Sequence, residues 1–419
     1  MDDSKTPSAI STSGHVETIT TGCCIVGGGP AGVLLGFLLA RAGVDVLVLE
    51  KHKDFFRDFR GDTIHPSTLE LLHELGLLEE FLQQPHQELR EIQAHFGKTV
   101  VHIADCSHLP TRCKFVAFMP QWDFLNFLSG HARRYPSFHL RMEAEVNNLL
   151  FENGRVVGAM ARTPQGSLAV RAPLVVGADG RSSTVRACAG LKVLDLGAPI
   201  DVLWFRLSKQ ANDPPLAFGF VNVKQFMVLI DRADYWQCAY VIPKGGFEEK
   251  RVRSLKAFRE EITHCAPFLG DRTSEIKQWD DVKLLSVKVD HLHNWCREGL
   301  LCIGDSAHAM SPVGGVGINL AIQDAVATAN LLAPKLRAGQ VQLSDIQAVQ
   351  DRRGLPARVT QRVQVFLHRH LLERIFNSPE LIPPPLLLRL CEKFPRLRRI
   401  PARMVGIGFR PEHVQNKQH

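Results

Sequence analysis

The feature that most constrains how this chain folds is a glycine-rich turn near its start, Gly27-Gly-Gly-Pro-Ala-Gly32. The apolar run from Cys23 to Val26 precedes the turn, and an apolar stretch from Val33 to Ala40 follows it. A second apolar run, from Val44 to Leu49, ends at the acidic residue Glu50. Strand, turn, helix, strand and acid therefore follow one another in the order of a βαβ unit, which belongs to a parallel sheet.

The glycines of this turn have the spacing G-x-G-x-x-G, at Gly27, Gly29 and Gly32. They permit a tight turn, close approach of a pyrophosphate to the backbone, and close packing of the helix on the strand. The helix N-terminus offers N–H groups to phosphate, and Glu50 is placed to bind a ribose. A turn without a ligand is the alternative, and the ordered elements argue against it. We predict a dinucleotide site that includes Gly27, Gly29, Pro30, Ala31, Gly32, Glu50 and Lys51.

Composition is that of an ordinary globular protein. The 419 residues are 45% hydrophobic and 22% charged, which suits a large core divided between roughly two or three domains. The formal net charge of +7 suits an anionic cofactor or substrate and gives no support for nucleic acid as a partner. The ten cysteines show no CxxC and no paired Cys/His spacing, so we expect neither a metal site nor disulfides, and a cytoplasmic location.

The start of the chain shows no targeting signal. Residues 1–15 are polar and lack a basic n-region, so we expect a disordered leader. The stretch Thr18–Ala40 carries no charge and is long enough to span a bilayer. Glycines and Pro30 interrupt it at the predicted phosphate turn. We therefore expect no transmembrane segment.

Two later segments repeat the combination of a buried strand and a polar turn. Leu174–Val176 predicts a strand that leads to Asp179-Gly180. Gly299–Gly304 predicts another, followed by Asp305 and a glycine-rich loop before a helix at 320–332. Open α/β sheets bind ligands at the carboxyl ends of their strands, so both turns are candidates for the same site.

The middle of the chain has a different pattern. Residues 88–118 alternate weakly, and Asp201–Leu207, Ala217–Ile230, Tyr235–Ile242 and Val282–Val289 are strand-like, several of them rich in aromatic and β-branched residues. They predict a second, mostly antiparallel sheet. Its aromatic residues either line a pocket for a flat apolar substrate or belong to the core. The candidates for substrate contact are Trp204, Arg206, Phe220, Met227 and Tyr240.

Two further patterns complete the chain. Phe138–Leu150 and Arg155–Ala161 predict strands near an Asn153-Gly154 turn, in an antiparallel layer that covers the main sheet. Residues 333–419 predict helices with a basic end. Leu386–Leu390 beside the arginines fits either a membrane surface or a packed terminal helix with solvated charges, and the second is the simpler interpretation.

From about Thr20 to Leu332 the sequence resembles the single-component flavoprotein aromatic hydroxylases, the p-hydroxybenzoate hydroxylase-like family. The resemblance rests on the G-x-G-x-x-G turn with Glu50, on Asp179-Gly180, and on Gly304-Asp305 with Pro312 and Gly315–Asn319. It implies a bound FAD, NADPH or NADH as reductant, O₂, and a small aromatic substrate. A monomer or a homodimer is compatible with it.

The resemblance also implies roles for single residues. Arg60 and Gln121 would bind the pyrophosphate and ribityl region, although Arg60 is equally well explained as a surface charge. Asp305 would bind the ribityl chain. The backbone of the loop before the helix would stabilise negative charge on the reduced ring. The loop residues assigned to the ring are Pro312, Gly315, Val316, Gly317, Ile318 and Asn319.

Two positions depart from the family pattern. Trp122 follows Gln121 where an arginine is common, and Val316 stands where a glutamine is common. Neither change removes a backbone contact, so the departures affect the expected redox tuning more than the expected binding.

The fold implied is α/β: a Rossmann-like FAD-binding domain with an inserted, mostly antiparallel β-sheet substrate domain and a C-terminal helical region. We assign residues 16–87, 119–194 and 291–332 to the first domain. Residues 88–118 and 195–290 form the inserted domain, and residues 333–419 form the helical region.

The activity implied is hydroxylation of a phenolic or polyketide-like aromatic compound through a flavin C4a-hydroperoxide in a water-poor pocket. Baeyer–Villiger oxidation or epoxidation on the same scaffold, and a dehydrogenase or reductase without oxygen transfer, are the alternatives. The sequence does not identify a base that would ionise a phenol. His65, His308 and Tyr240 are candidates, each with a structural role as its alternative.

Overall fold

The computed structural model describes residues 16–56, 63–214 and 219–415. The predicted leader, residues 1–15, and the predicted pyrophosphate ligand Arg60 lie outside the described residues. In chain order the strands are β1 (Glu17–Thr20), β2 (Cys23–Val26), β3 (Val46–Leu49), β4 (Thr63–Ile64), β5 (Gln87–Leu89), β6 (Glu91–Phe96), β7 (Thr99–Asp105), β8 (Val116–Phe118), β9 (Phe138–Arg141), β10 (Glu145–Glu152), β11 (Arg155–Thr163), β12 (Gly166–Arg171), β13 (Val175–Gly177), β14 (Val193–Asp195), β15 (Ile200–Ser208), β16 (Gly219–Asn222), β17 (Gln225–Asp231), β18 (Tyr235–Pro243), β19 (Lys283–Leu285), β20 (Asp290–Leu292), β21 (Cys296–Arg297) and β22 (Leu300–Cys302). The helices are α1 (Pro30–Arg41), α2 (Pro66–Glu74), α3 (Leu78–Leu82), α4 (Gln121–Ala132), α5 (Thr184–Cys188), α6 (Phe247–Arg253), α7 (Leu255–Cys265), α8 (Val316–Arg337), α9 (Leu343–Leu367), α10 (Glu373–Asn377), α11 (Leu386–Lys393) and α12 (Arg399–Gly406).

The main sheet has the strand order β21-β22-β13-β2-β3-β9. Strands β22, β13, β2, β3 and β9 pair in parallel, and β21 is antiparallel to β22. The four residues of β2 and the four of β3 are all buried and apolar, as expected for strands covered on both faces. Helix α1 packs against β3, α4 and α8. Because α1 is apolar on every side, it is buried throughout from Ala31 to Ala40.

A four-stranded sheet with the order β1-β12-β11-β10 lies beside the main sheet, through contacts between β11 and β13. Asn153 and Gly154 form the β10–β11 turn with φ of 48° and 80°, as the Asn-Gly pair predicts. Strand β9 departs from the prediction. It joins the parallel main sheet beside β3 instead of the antiparallel layer, because Phe138 packs from that position against the helix-bearing core.

The second large sheet has the order β19-β15-β18-β17-β16-β6-β7 and is antiparallel except for the pair β16 and β6. A strand is predicted over Ala217–Ile230; its first two residues lie outside the described residues, and the rest forms a hairpin, β16 and β17, that turns at Lys224 with a φ of 56°. Of the predicted strand Val282–Val289, only Lys283–Leu285 pairs in the sheet. Strands β6 and β7 reach this sheet from a distant part of the chain.

The second sheet has two differently covered faces, because side chains alternate along its strands. The helix face carries Phe205, Met227 and Tyr240, which pack against Phe258 and Ile262 of α7. The loop face carries residues such as Val202, Trp204 and Val228, which pack with Val313 and with residues from the end of α9 onwards. The loop face is therefore the one turned toward the glycine-rich loop before α8.

The C-terminal region is helical. Helix α9 continues through a π-helical turn, His368–Leu372, into α10, and both α11 and α12 pack on β7. By length and composition, one segment among the described residues, Val313–Arg337, is apolar enough to cross a membrane. Its most apolar window is 72% buried inside the structure, so α8 serves as a core helix.

We expect Phe258→Ala to destabilise the second sheet by about 3–5 kcal/mol, because it leaves a large cavity in the helix face. Phe258 is 1% exposed and meets the rings of Phe205 and Tyr240 edge-on. Val252→Ala in the neighbouring helix α6 is the matched control, since Val252 is 86% exposed. Urea unfolding monitored by circular dichroism measures the difference, and equal midpoints for the two variants would contradict the packing described.

Candidate active site

Three turns meet at one edge of the main sheet. They follow the neighbouring parallel strands β2, β13 and β22, whose carboxyl ends lie side by side. Backbone N–H groups join them: Ala178 donates to Val26 O (2.7 Å) and Ile303 donates to Gly177 O (2.9 Å). The three motifs that the sequence separates by more than a hundred residues are therefore contiguous in space.

The first turn requires its glycines. Gly27 has a φ of +106°, and a Cβ there would lie 2.4 Å from Ala178 O. A Cβ on Gly32 would lie 1.9 Å from Gly27 O. At Gly29 a Cβ would meet no atom within 4 Å, so this backbone faces open space. Gly29 is also the N-cap of α1, and no side chain caps the helix. The N–H groups of the first turn are thus exposed to a ligand.

Glu50 closes the first turn from the end of β3. Gly28 N donates to Glu50 Oε2 (2.8 Å) and His52 N donates to Glu50 Oε1 (3.1 Å). Each carboxylate oxygen can accept more than one hydrogen bond, so this arrangement leaves acceptor capacity for hydroxyl groups. The neighbouring Lys51 is exposed.

The second and third turns share charged groups. Val185 N donates to Asp179 Oδ2 (3.1 Å), while Asp179 Oδ1 is buried and has no hydrogen-bond partner among the described residues. Burial raises the pKa of Asp179. Arg181 Nη2 donates to Asp305 Oδ2 (3.3 Å), and a Cβ on Gly317 would lie 4.0 Å from Asp305 Oδ1. Asp305 is therefore at the junction of the second turn, the third turn and the start of α8.

The loop that leads into α8 bends at two glycines, Gly314 with a φ of 81° and Gly315 with a φ of 63°. A Cβ on Gly315 would lie 2.5 Å from Thr63 Oγ1, so only glycine fits. The hydroxyl of Thr63 donates to Gly315 O (3.1 Å), and His65 Nε2 lies 3.0 Å from the same oxygen. The N-terminus of α8, like that of α1, has no side-chain cap.

Side chains from the C-terminal helices clamp this loop. Gln364 Nε2 donates to Ser311 O and to Val313 O, both at 3.0 Å, and Gln364 Oε1 accepts from Ser311 N at 3.2 Å. His368 Nε2 lies 2.9 Å from Ser311 Oγ. These bonds position the residues on both sides of Pro312. The sequence motifs do not indicate Gln364 and His368, because nothing in a helical pattern shows which polar residue faces inward.

Comparison with known proteins identifies the family of the chain. The family described as FAD binding domain matches residues 20–363. The 6-methylpretetramide 4-monooxygenase of Streptomyces rimosus is 34% identical over 358 residues, which cover 84% of this chain and 84% of that protein. The chain belongs to the FAD-dependent aromatic monooxygenases. The resemblance stated from the sequence motifs is thereby confirmed.

Solved structures agree on the fold. OxyS anhydrotetracycline hydroxylase from Streptomyces rimosus superimposes with a TM-score of 0.72 at 23% identity, covering 93% of this chain and 76% of that one. The p-nitrophenol 4-monooxygenase PnpA from Pseudomonas putida gives 0.73 at 21% identity, covering 93% and 94%. At these identities the likeness shows a mixed α/β fold of this family.

The edge of the main sheet fits FAD as a ligand. Two uncapped helix N-termini, the open backbone at Gly29 and the acceptor capacity of Glu50 suit a molecule with a pyrophosphate and ribose hydroxyls. The buried Asp179 Oδ1 and Arg181 Nη1 have no hydrogen-bond partner within the described part of the chain. Such groups are costly unless a ligand or water satisfies them.

The remaining residues predicted to bind the cofactor differ in their contacts. Gln121, half-buried, starts α4, and the ring of the next residue, Trp122, contacts that of Phe56 in a tilted arrangement with ring centres 4.8 Å apart. Asn319 Oδ1 accepts from the hydroxyls of Ser67 (2.8 Å) and Thr68 (3.0 Å), so its side chain joins α8 to α2. Val316 and Ile318 are half-buried, and the second packs on the main core.

The three candidate bases all have internal partners. His65 is buried between two carbonyl oxygens, Gly315 O and Val405 O, and burial lowers its pKa. His308 Nε2 lies 2.6 Å from Asp324 Oδ2. The hydroxyl of Tyr240 donates to Glu261 on α7 (3.1 Å), and burial raises its pKa well above the usual value. The geometry gives each of these residues a structural role.

The substrate candidates fall on two sides of the second sheet. Trp204 belongs to the loop face, which faces Val313. Phe220, Met227 and Tyr240 belong to the helix face and pack under α7, so the structure does not bring them to the glycine-rich loop. The position of a residue along its strand decides which face of the sheet its side chain occupies. The aromatic content of the strands does not reveal that face. Arg206 is exposed, with its guanidinium over the Tyr235 ring at 5.0 Å.

Gly29→Ala is expected to leave the fold intact and to weaken FAD binding by roughly tenfold or more, equivalent to about 1.4 kcal/mol. The added methyl meets nothing in the protein but occupies the backbone surface that the ligand needs. Gly130→Ala in α4 is the matched control, because a Cβ there also meets nothing within 4 Å. Each variant is unfolded to remove bound flavin and then refolded. A flavin fluorescence titration measures its affinity for FAD. Unchanged affinity in Gly29→Ala would contradict a pyrophosphate at this turn.

Gln364→Leu removes the three bonds that position the Ser311–Val313 segment. We expect FAD content to persist and the substrate-stimulated rate to fall by roughly a hundredfold, since small misplacements of a reacting group have effects of that size. Gln347→Leu on the same helix α9 is the control, because Gln347 is exposed. Steady-state kinetics with an aromatic compound that the wild-type enzyme is first shown to turn over would reveal the loss in kcat. A variant with a wild-type rate would show that the clamp is dispensable.

Proposed function

We propose that this monooxygenase binds FAD across the three turns and hydroxylates a phenolic, polyketide-like aromatic compound. In this proposal the first turn and Glu50 bind the adenosine diphosphate part, and Asp305 binds the ribityl chain. The backbone of Pro312 and of Gly315–Asn319 lies beside the flavin ring. Bound FAD would supply the redox chemistry that joins reduced nicotinamide, O₂ and the aromatic substrate.

One observation carries the proposal for the substrate. Val313, adjacent to Pro312, packs into the same apolar cluster as Trp204, Phe226 and Val228 on the loop face of the second sheet. The loop proposed to contact the flavin ring and the aromatic strands therefore face one apolar region. Such a region excludes water and accepts a flat, apolar substrate.

The names of the relatives support an extended aromatic substrate. The relative at 34% identity is a 6-methylpretetramide 4-monooxygenase, and a tetracycline-pathway relative is described as a 12-dehydrotetracycline 5-monooxygenase/anhydrotetracycline 6-monooxygenase. Para-nitrophenol 4-monooxygenase, a more distant relative, acts on a single ring. The aromatic loop-face residues are consistent with either size, and we favour a fused phenolic ring system because the nearest of these three relatives acts on one.

The residues of this chain divide the work as follows. The uncapped N-terminus of α8 offers backbone donors where negative charge would develop, without the reorganisation that water would need. Gln364 and His368 fix the Ser311–Val313 segment, and burial lowers the pKa of His368. Because His65, His308 and Tyr240 are engaged elsewhere, we assign the ionisation of the substrate to none of them.

The same proposal covers the domain organisation and the reductant. Strands from 91–105 and from 200–285 share the second sheet, which supports an inserted substrate domain. The bounds 88–118 and 195–290 stay part of the proposal, although β8 (Val116–Phe118) pairs with β4 and β5 outside that sheet. NADPH or NADH would approach from the surface. The ten cysteines are all free thiols, which supports a reducing, cytoplasmic location.

The test is product analysis with the purified, FAD-loaded protein. Fused-ring phenols and simple phenols are supplied separately with NADPH or NADH and isotopically labelled O₂. We expect a fused-ring phenol to accelerate nicotinamide oxidation and one labelled oxygen atom to appear on its ring. Nicotinamide oxidation that ends in hydrogen peroxide with every aromatic compound would refute the proposal. Labelled oxygen in a ring-expanded lactone would show that the reaction is a Baeyer–Villiger oxidation instead of a hydroxylation. Labelled oxygen in an epoxide would show that it is an epoxidation.

A further inference from the structure

The C-terminal helices present a surface that the proposed function does not use. We define the C-terminal patch by the exposed residues of Leu386–Arg403, which span α11 and α12. Its apolar members are Leu386 (72% exposed), Leu387 (67%), Leu390 (36%), Phe394 (50%) and Ile400 (58%). Its cationic members, all exposed, are Arg389, Lys393, Arg396, Arg399 and Arg403.

The two helices pack on the same strand and leave the residues of the patch exposed. Both pack on β7, the edge strand of the second sheet, through inward residues such as Cys391 and Ala402. Leu386 and Leu390 are four residues apart and thus share one side of α11, and Phe394 follows as the C-cap of the helix. Arg389 and Lys393 are also four residues apart, on the flank of that side. An amphipathic helix usually buries its apolar side. In the patch, the apolar and the cationic residues are both exposed to solvent.

The single acid in this segment does not neutralise the patch. Residues 386–403 contain six Lys or Arg residues and one acid, Glu392. The Glu392 carboxylate accepts from the backbone N of His102 on β7 and pairs with Arg398 (3.3 Å). Among the described residues, Arg389, Arg396, Arg399 and Arg403 have no carboxylate within 4.0 Å. The outward surface therefore carries positive charge without internal compensation.

We propose that the C-terminal patch binds the surface of an anionic lipid bilayer. The exposed leucines and Phe394 would enter the boundary between headgroups and acyl chains, while the arginines contact lipid phosphates. Few apolar residues bind a membrane only weakly, and each nearby cation strengthens binding to an anionic surface about fivefold. The patch has both kinds of residue, so apolar insertion and electrostatic attraction both contribute to binding. This inference does not depend on the substrate or on the reaction.

Charge distinguishes this occupant from two others. A second copy of the chain, docked by two-fold symmetry, would place cations of one patch against those of the other. Nucleic acid would use the arginines but would gain nothing from five exposed apolar side chains. An anionic bilayer is complementary to both kinds of residue at once.

The experiment is co-sedimentation of the full-length, FAD-loaded protein with vesicles. One set contains phosphatidylcholine alone, and the other contains phosphatidylcholine and phosphatidylglycerol in equal parts. We expect binding to the anionic set, weakened by added salt. Arg396→Gln/Arg399→Gln should reduce the partition coefficient roughly thirtyfold, since it removes two cations near the surface. Leu386→Ser/Leu387→Ser should reduce binding to the same vesicles as well.

Matched controls lie elsewhere on the surface. Val252→Ser changes a side chain that is 86% exposed, and Arg162→Gln/Arg171→Gln removes two cations from β11 and β12. Both should bind like the wild type, and all variants should keep the wild-type thermal midpoint. Equal binding to both vesicle sets, or loss of binding in the controls, would overturn the proposal. So would a dimer seen by light scattering that Leu386→Ser/Leu387→Ser dissociates, since the patch would then be a subunit interface.

Discussion

The parallel pairing of β2, β13 and β22 is the constraint on which the site depends. Parallel strands place all their carboxyl ends at one edge of the sheet. The strand pairing alone therefore brings together three turns from distant parts of the chain. The first two turns touch through their backbones, since a Cβ on Gly27 would lie 2.4 Å from Ala178 O, and Gly304 of the third turn lies close to the side chain of Ala31. A side chain at Gly27 would separate the first two turns. The glycines are therefore required by the meeting of the turns as much as by a ligand.

A buried charge network fixes the third turn in place. Asp324 on α8 accepts from Gly304 N (3.0 Å), lies 2.6 Å from His308 Nε2 and accepts from Arg353 Nε (3.0 Å). Removing one partner from such a network leaves an uncompensated buried charge, which is strongly destabilising. The network determines where Gly304 lies, and thereby where the adjacent Asp305 points. His308 contributes to this buried network, which gives the histidine of the motif a structural role.

The sequence predicts the backbone of the site better than its side-chain surroundings. The spacing of Gly27, Gly29 and Gly32 and the strand before each turn are local signals, and the structure shows those elements where the pattern predicts them. The placement of Tyr240 failed because one position along a strand decides which face a side chain occupies, and aromatic content is the same for both. The placement of β9 failed because a four-residue strand looks alike in a parallel or an antiparallel sheet. Gln364 lies in a helix whose inward side is set by tertiary contacts.

The C-terminal helices are part of the site, although the family match ends at residue 363. Beyond that point Gln364 and His368 bond to Ser311, the carbonyl of Val405 on α12 contacts His65 Nδ1 at 2.8 Å, and Glu412 pairs with Arg352 and Arg353. The ring of His65 spans two carbonyl oxygens, and a neutral imidazole can donate to only one of them. Its other nitrogen then faces an oxygen without a hydrogen between them, unless the ring is protonated. The link between α12 and Gly315 is therefore strongest with a charged ring, which burial disfavours. The loop before α8 is therefore held to the C-terminal region by His65 on one side and by the three bonds of Gln364 on the other.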